Sequence, residues 1–307
     1  MQQGKELLKV DNLTVYFNMY DKGTKYNKLE VIHELSLTVS KGEIVAVVGS
    51  SGSGKSLLAH AIMKILPSNA VVNGNITFNG EKITEEYLKK IRGNDISFIP
   101  QSVDFLDPLM TIEKQVVGIN GSYERQKEIF KKYDLLESVG KMYPFQLSGG
   151  MARRVLIAGA VMNKAGLIIA DEPTPGLSTD LAMETMNEFR AIADEGCGIL
   201  LITHDIDIAL KAADRIAVFY AGTIVEIADA SDFIQGKDAL RHPYSKAFID
   251  ALPQNGFKGL EGFQPYAGNL PKGCLFSERC PMKNKKCCMN IEMRKVRGGE
   301  VRCVNAN

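Results

Sequence analysis

Two periods of apolar residues run along the chain. The first is alternation. Leu7–Phe17 (LLKVDNLTVYF) switches between apolar and polar positions, as a half-buried strand does. A polar stretch follows (NMYDKGTKYNK, 18–28), which predicts a loop, and then Leu29–Val39 (LEVIHELSLTV) predicts a second strand. The second pattern is the short, continuous, β-branched run. IVAVVG (44–49), GLIIAD (166–171) and GILLIT (198–203) have the length and density of strands buried on both faces. DISFIPQ (95–101) predicts another strand, and RIAVFYAGTIVEI (215–227) predicts a closing hairpin.

Between these runs the period becomes helical. LLAHAIMKIL (57–66) predicts a helix ended by Pro67, and EEYLKKIRG (85–93) a short charged one. VVNGNITFNG (71–80) reads as strands broken by Asn-Gly turns. Residues 105–144 are mostly helical, notably YERQKEIFKKYDLLESV (123–139), and a helix follows Ser148-Gly149-Gly150. Strands alternating with helices predict an α/β fold with a mostly parallel sheet. Near Gly236 the texture shifts to Pro, Gly, Lys and Cys, with one helical piece, PYSKAFIDAL. A boundary is placed there, giving domains 1–236 and 237–307.

Bulk properties add little. The chain has 307 residues, and 37 basic side chains nearly balance 36 acidic ones, so no field points to nucleic acid. The longest apolar runs are strand-length, well short of a membrane span, and no segment resembles a signal peptide.

The chemistry concentrates in a few motifs. Gly49-Ser50-Ser51-Gly52-Ser53-Gly54-Lys55-Ser56 satisfies G-x-x-x-x-G-K-[ST], with Leu57 opening the helix behind it. Glycines there let successive N–H groups converge on phosphate oxygens. Lys55 reaches the β- and γ-phosphates, and Ser56 ligates Mg²⁺. Asp171, at the end of a buried run, can hold the Mg²⁺ shell, and Glu172 can orient a water or take its proton. His204 and Gln101 also follow strand ends: His204 can donate to the γ-phosphate, and Gln101 can touch Mg²⁺ and water. Ser148-Gly149-Gly150 is a second phosphate-binding shape, small residues at a helix N-terminus.

In this order, these elements resemble the nucleotide-binding domain of ABC transporters, over about Leu7 to Ile234. The resemblance implies a P-loop, RecA-like core with an antiparallel β subdomain and a helical subdomain, followed by a small Cys-rich extension. It implies ATP and Mg²⁺ as ligands, and an aromatic stacked on adenine at Phe17, with Tyr16 the neighbouring candidate. It also explains the second phosphate turn: two such domains face head to tail, and each ATP is held between one phosphate loop and the partner's signature turn. Two departures stand out. Met151 ends the signature where glutamine is commoner. Pro175-Gly176-Leu177-Ser178 replaces the usual Ser-Ala-Leu-Asp, so Ser178 cannot supply a carboxylate for communication across the dimer.

The end of the chain, RHPYSKAFIDALP followed by GCLFSERCPMKNKKCC, resembles the extension of peptide and nickel importer ATPases. Cys274, Cys280, Cys287 and Cys303 have the spacing C-x5-C-x6-C-x15-C, with Cys288 an alternative third ligand. Four thiolates suit a [4Fe–4S] cluster, which the resemblance favours, or Zn²⁺. Cys197 reads as a structural thiol. The implied function is the ATP-hydrolysing subunit of an importer. Its expected partners are a second ATPase subunit, identical or not, two transmembrane permease subunits and an extracytoplasmic solute-binding protein. The expected location is the cytoplasmic face of the membrane. The tail favours peptides as solute, with nickel or a metal chelate the alternative. A soluble ATPase of iron–sulfur assembly is the alternative of another class.

Overall fold

The computed structural model describes residues 5–20, 26–118 and 121–307. Two sheets share the work. The smaller is antiparallel, in the order β2 (Tyr26–Ser40), β1 (Glu6–Tyr20), β4 (Ala70–Phe78), β5 (Glu81–Lys82). β1 and β2 run into the stretch expected to be a loop, because Asn18 pairs with Lys28 and Met19 with Asn27. The rest of that stretch, 21–25, lies outside the described residues.

The larger sheet has eight strands. Its parallel part runs β9 (Arg215–Tyr220), β3 (Ile44–Val48), β8 (Gly198–Thr203), β7 (Leu167–Asp171), β6 (Ile96–Ile99). β3 is buried throughout, as its unbroken apolar run predicts. Ile44, Ala46 and Val48 enter one core with the helices that follow the signature turn and Glu172. Val45 and Val47 enter the other, against the small sheet and α1 (Lys55–Ile62). A helical subdomain carries α3 (Ile112–Val117) and α4 (Tyr123–Lys132), which pack on α5 (Gly149–Met162). α2 (Glu85–Ile91) stands where the period places a helix; α6 (Thr179–Asp194) follows β7, α7 (Ile206–Ala212) follows β8, and α8 (Ala230–Gln235) lies farther along the chain.

Four expectations are corrected. α1 stops at Ile62, before Pro67, because Lys64 takes a positive φ of 51° and Ile65 N–H closes back on His60 C=O. Asn73-Gly74 makes no turn. β4 passes straight through, and Gly74 (φ 98°) lets the backbone of Asn12 approach, where a Cβ would sit 2.4 Å from the Asn12 oxygen. α4 ends at Lys132, because Asp134 (φ 50°) turns the chain. The hairpin of β9 and β10 (Thr223–Asp229) forms, but it does not close the sheet. β12 (Gly299–Val301) pairs with β10 through Glu226–Val301 and Ile227–Glu300, and β11 (Arg294–Val296) lies outside it.

The tail is thus stitched to the core, and one buried carboxylate anchors it. Glu226 is fully buried, and its two oxygens accept the backbone N–H of Arg241 and of His242 at 2.8 Å each. The Arg241 guanidinium returns to Glu226 at 3.4 Å and to Asp232 at 2.7 Å. His242 then caps α9 (Pro243–Asp250) through Nδ1, which accepts Tyr244 N–H at 3.0 Å. Burial lowers the His242 pKa to about 3, so the ring is neutral and available as an acceptor. Glu226→Ala would leave a buried guanidinium and two buried N–H groups short of partners. A loss of about 3 kcal/mol or more in a denaturant titration is expected.

Candidate functional site

Every candidate ATP-site residue outside the small sheet and the signature turn follows the end of a parallel strand. β3 delivers the phosphate loop, β7 delivers Asp171 and Glu172, β8 delivers His204, and β6 delivers Gln101. Parallel strands place their carboxyl ends on one edge, which is where ligands collect in such sheets.

The phosphate loop packs tightly beneath its open face. Gly49 touches β9, and a Cβ there would lie 2.4 Å from the Phe219 carbonyl oxygen. Gly52 and Gly54 hold positive φ angles of 74° and 102°, and Gly54 caps α1. Lys55 curls back, and its Nζ donates to the carbonyls of Gly49 and Ser50 at 3.0 Å each. Burial lowers the Lys55 pKa, while Glu172 and Asp171 oppose the shift. Ser53 is buried with its hydroxyl unpartnered among the described residues. Ser50, Ser51 and Gly52 face solvent.

Ser56 Oγ donates to Asp171 Oδ1 at 3.0 Å. The other carboxylate oxygen, Oδ2, is buried and unpartnered among the described residues. A hard cation fits such an orphaned oxygen beside a serine hydroxyl. Burial pushes the Asp171 pKa up to about 6. Glu172 adds to that rise, and Ser56, Lys55 and Arg153 oppose it. Glu172 is buried with φ 48°, an uncommon backbone for a side chain of its size. Both its oxygens lie 2.9 Å from His204 Nδ1, and Thr203 Oγ1 reaches Oε2 at 3.5 Å. The His204 side chain is otherwise about half exposed.

The remaining candidates stand apart. Ser148 caps α5 by accepting Met151 N–H at 3.3 Å, and Gly149 is exposed, so the helix N-terminus opens to solvent. Gly150 lies against the Gly176 carbonyl. The phosphate loop's own bonds run instead to its own carbonyls, to Asp171 and to Gln264. Ser178 caps α6 by accepting Leu181 N–H at 3.4 Å, so the position still carries a capping oxygen, without the charge that the usual aspartate would bring. Phe17 is half-buried on β1, and the Tyr16 ring sits 4.8 Å under Lys28 Nζ.

Arg153 was not singled out from the sequence. It is buried on α5, and its guanidinium donates to the carbonyl of Pro100 at 2.7 Å and to that of Gln101. It therefore ties the helix of the signature turn to the backbone of the glutamine loop, while the Gln101 side chain stays exposed. The helical period carried a signal: 153, 157 and 160 share one face, and Ile157 and Ala160 are core.

All six cysteines are free, five of them in the tail, and Cys288 is exposed. Burial pushes the Cys274 thiol up to about 11, with Cys303, Cys287 and Cys280 adding to it. Burial also raises Cys280 and Cys303, again with the neighbouring thiols adding. Cys274 thus lies within electrostatic reach of Cys280, Cys287 and Cys303. Among the described residues, no three His, Cys, Asp or Glu side chains stand in a metal-holding arrangement.

Comparison with known proteins places this geometry. The ABC transporter family pattern matches residues 32–175, and that of the oligopeptide/dipeptide transporter C-terminal region matches 225–287. The oligopeptide transport ATP-binding protein AppD of Bacillus subtilis is 34% identical, over 92% of this chain and 91% of its own. The chain belongs to the ABC transporter ATP-binding family. The dipeptide transport ATP-binding protein DppD of Escherichia coli is 34% identical, over 92% of this chain and 90% of its own. OppD of the same organism is 32% identical, over 98% and 93%. Among solved structures, a dimeric ATP-binding cassette in a post-hydrolysis state with ADP and Pi superposes with a TM-score of 0.63. It is 28% identical and covers 73% of this chain and 99% of its own. This ABC ATPase therefore takes ATP and Mg²⁺ and hydrolyses ATP.

The raised Asp171 pKa has a measurable consequence. Its folded value near 6 lies above the ordinary 3.8, so the folded state keeps a proton that the unfolded chain has lost. Between about pH 4 and 6 this group makes stability fall as pH rises. Asp171→Asn removes that penalty. Without nucleotide, the variant's Tm should gain on the parent's between pH 5 and pH 7, as read by thermal unfolding.

Proposed function

We propose that this chain is the energy-coupling ATPase of a peptide importer, acting as one of two nucleotide-binding subunits at the cytoplasmic face of the membrane. The observation that carries the reading is the pairing of an intact Lys55–Ser56–Asp171–Glu172–His204 site with a tail of the oligopeptide/dipeptide type. In this reading residues 1–236 form the ATPase domain and 237–307 its extension. Peptides are favoured over nickel or a metal chelate by that tail and by relatives named for oligopeptide and dipeptide transport. The soluble alternative in iron–sulfur assembly gains no support from the site.

Each residue has a task that its surroundings suit. Lys55 leaves the carbonyls of Gly49 and Ser50 and turns to the β- and γ-phosphates of ATP, while the N–H groups of Gly52 to Leu57 cradle them. Phe17 stacks on adenine. Mg²⁺ neutralises developing phosphate charge, and Ser56, Asp171 and the Gln101 side chain are the groups to hold it. Glu172 accepts a proton from the attacking water. With Glu172 ionised, His204 Nδ1 donates to it, so the ring is fixed and oriented by the base it serves. His204 Nε2 then faces the γ-phosphate. The open N-terminus of α5 at Ser148-Gly149-Gly150 faces ATP held by the second subunit, which explains why it makes no bond to its own phosphate loop.

The permease subunits dock beside the glutamine loop. A cleft of about 570 Å³ there is lined by Arg92, Phe98, Phe105, Gln115 and Val155 among others. Leu109 and Phe145 nearby in the chain are largely exposed. Among the described residues no helix is long and apolar enough to cross a membrane, so a permease is the source of the spanning part in this proposal. In the extension, Cys274, Cys280, Cys287 and Cys303 are the groups for a [4Fe–4S] cluster, with Zn²⁺ the alternative. Burial raises the Cys274, Cys280 and Cys303 thiols, neighbouring thiols add to the rise, and such groups gain from a shared cation.

Glu172→Gln should lower ATP turnover at least about 100-fold and leave an ATP-bound dimer on size-exclusion chromatography. Normal turnover in that variant would remove Glu172 from its role. Co-purification with two polytopic subunits from solubilised membranes tests the importer. Recovery only in the soluble fraction, with assembly factors, would overturn it. Anaerobically purified protein should be brown and contain iron; colourless protein with one zinc would replace the cluster by Zn²⁺.

A further inference from the structure

The phosphate loop is touched from outside its own domain, by the tail. Ser50 Oγ donates to Gln264 Oε1 at 3.3 Å, across 214 residues of sequence. Tyr244, the first residue after the proline of α9, lies beside Ser50, close enough for its phenol to interact with the serine's side chain and backbone. Burial raises the Tyr244 phenol above its ordinary value, and Ser50 partly offsets the rise. The same serine is the node on which the loop closes. Its carbonyl accepts Lys55 Nζ at 3.0 Å and Ser53 N–H at 3.3 Å.

Tyr244 is not placed by chance. Glu226 holds Arg241 and His242, and His242 caps the turn that starts α9. The Tyr244 ring packs on Tyr220 at 4.4 Å between centroids and on Phe276 at 5.4 Å. Tyr220 meets Phe276 edge-on and accepts a bond from Arg279 at 3.4 Å. Arg279 in turn donates to the carbonyls of Leu260 and Glu261, just before the segment that presents Gln264. Both contacts to Ser50 thus hang from one packed cluster of the tail.

We propose that Tyr244 and Gln264 are positioning residues for ATP. They fix Ser50 so that the phosphate loop is held in its binding shape before nucleotide arrives. A preformed loop avoids ordering cost on binding, so losing an anchor weakens affinity while the chemical step keeps its groups. The inference rests on Gly49–Ser56 being the ATP loop.

The test uses the full chain and mant-ATP, with Lys55→Ala as the control for the loop. Tyr244→Phe and Gln264→Ala should each weaken mant-ATP binding about 3- to 10-fold, raise KM for ATP by a similar factor and leave kcat within about 2-fold. Combining Tyr244→Phe with Ser50→Ala should weaken binding no further than Ser50→Ala alone, because both act through one contact. Gln264 is half-exposed, so its variant still reports if Tyr244→Phe destabilises the fold. Unchanged affinity in Gln264→Ala and Tyr244→Phe, with Lys55→Ala abolishing binding, would overturn the proposal. Additive losses in the double variant would also overturn it. Unaltered binding in Lys55→Ala would instead remove the loop reading itself.

Discussion

Two adjacent carboxylates buried at the end of β7 set the terms for this molecule. Asp171 and Glu172 are almost wholly removed from water, and Glu172 raises the cost of ionising Asp171. The positive φ of Glu172 throws the second side chain away from the first, toward His204. What surrounds them answers that charge: the Ser56 hydroxyl, the Lys55 ammonium and the Arg153 guanidinium. The balance is incomplete, since one oxygen of Asp171 has no partner among the described residues. A site in that condition is poised for a divalent cation and a polyphosphate, which bring the missing partner and engage Lys55.

The helix α5 serves two masters through opposite ends of its first turns. Its N-terminus, capped by Ser148, is open to solvent and leaves N–H groups available to an anion. One turn later Arg153 points inward and grips the backbone of Pro100 and Gln101. A force felt at the exposed end is therefore shared with the backbone at Pro100 and Gln101. The serine at 178 caps α6 with a neutral hydroxyl rather than a carboxylate.

The extension is continuous with this machinery. β12 adds to β10, Glu226 anchors the RHPY turn, and the aromatic cluster of Tyr220, Tyr244 and Phe276 fills the gap between tail and sheet. Removing a buried acid such as Glu226 would release these contacts together, because each depends on the same turn.

Much of this was written in the sequence. Unbroken apolar runs marked β3, β7 and β8, since only a strand covered on both faces needs them. The phosphate loop was legible because glycine and a helix start at fixed spacing have few other uses. Alternation found β1 and β2 but not their ends, because cross-strand hydrogen bonds can carry polar residues such as Asn18 and Lys28. Asn73-Gly74 misled for the same reason: the signal of a turn is also the signal of a close backbone approach, and only the neighbour, Asn12, decides which. The strands β11 and β12 are three residues each, too short to show a period. Arg153, Glu226, Gln264 and Tyr244 were silent too, since their partners lie 15 to 214 residues away. The sequence by itself determined the elements and the local chemistry of the ATP loop, which depend on neighbours in the chain. Only the tertiary structure decided which buried charge meets which donor, because that depends on distance in space.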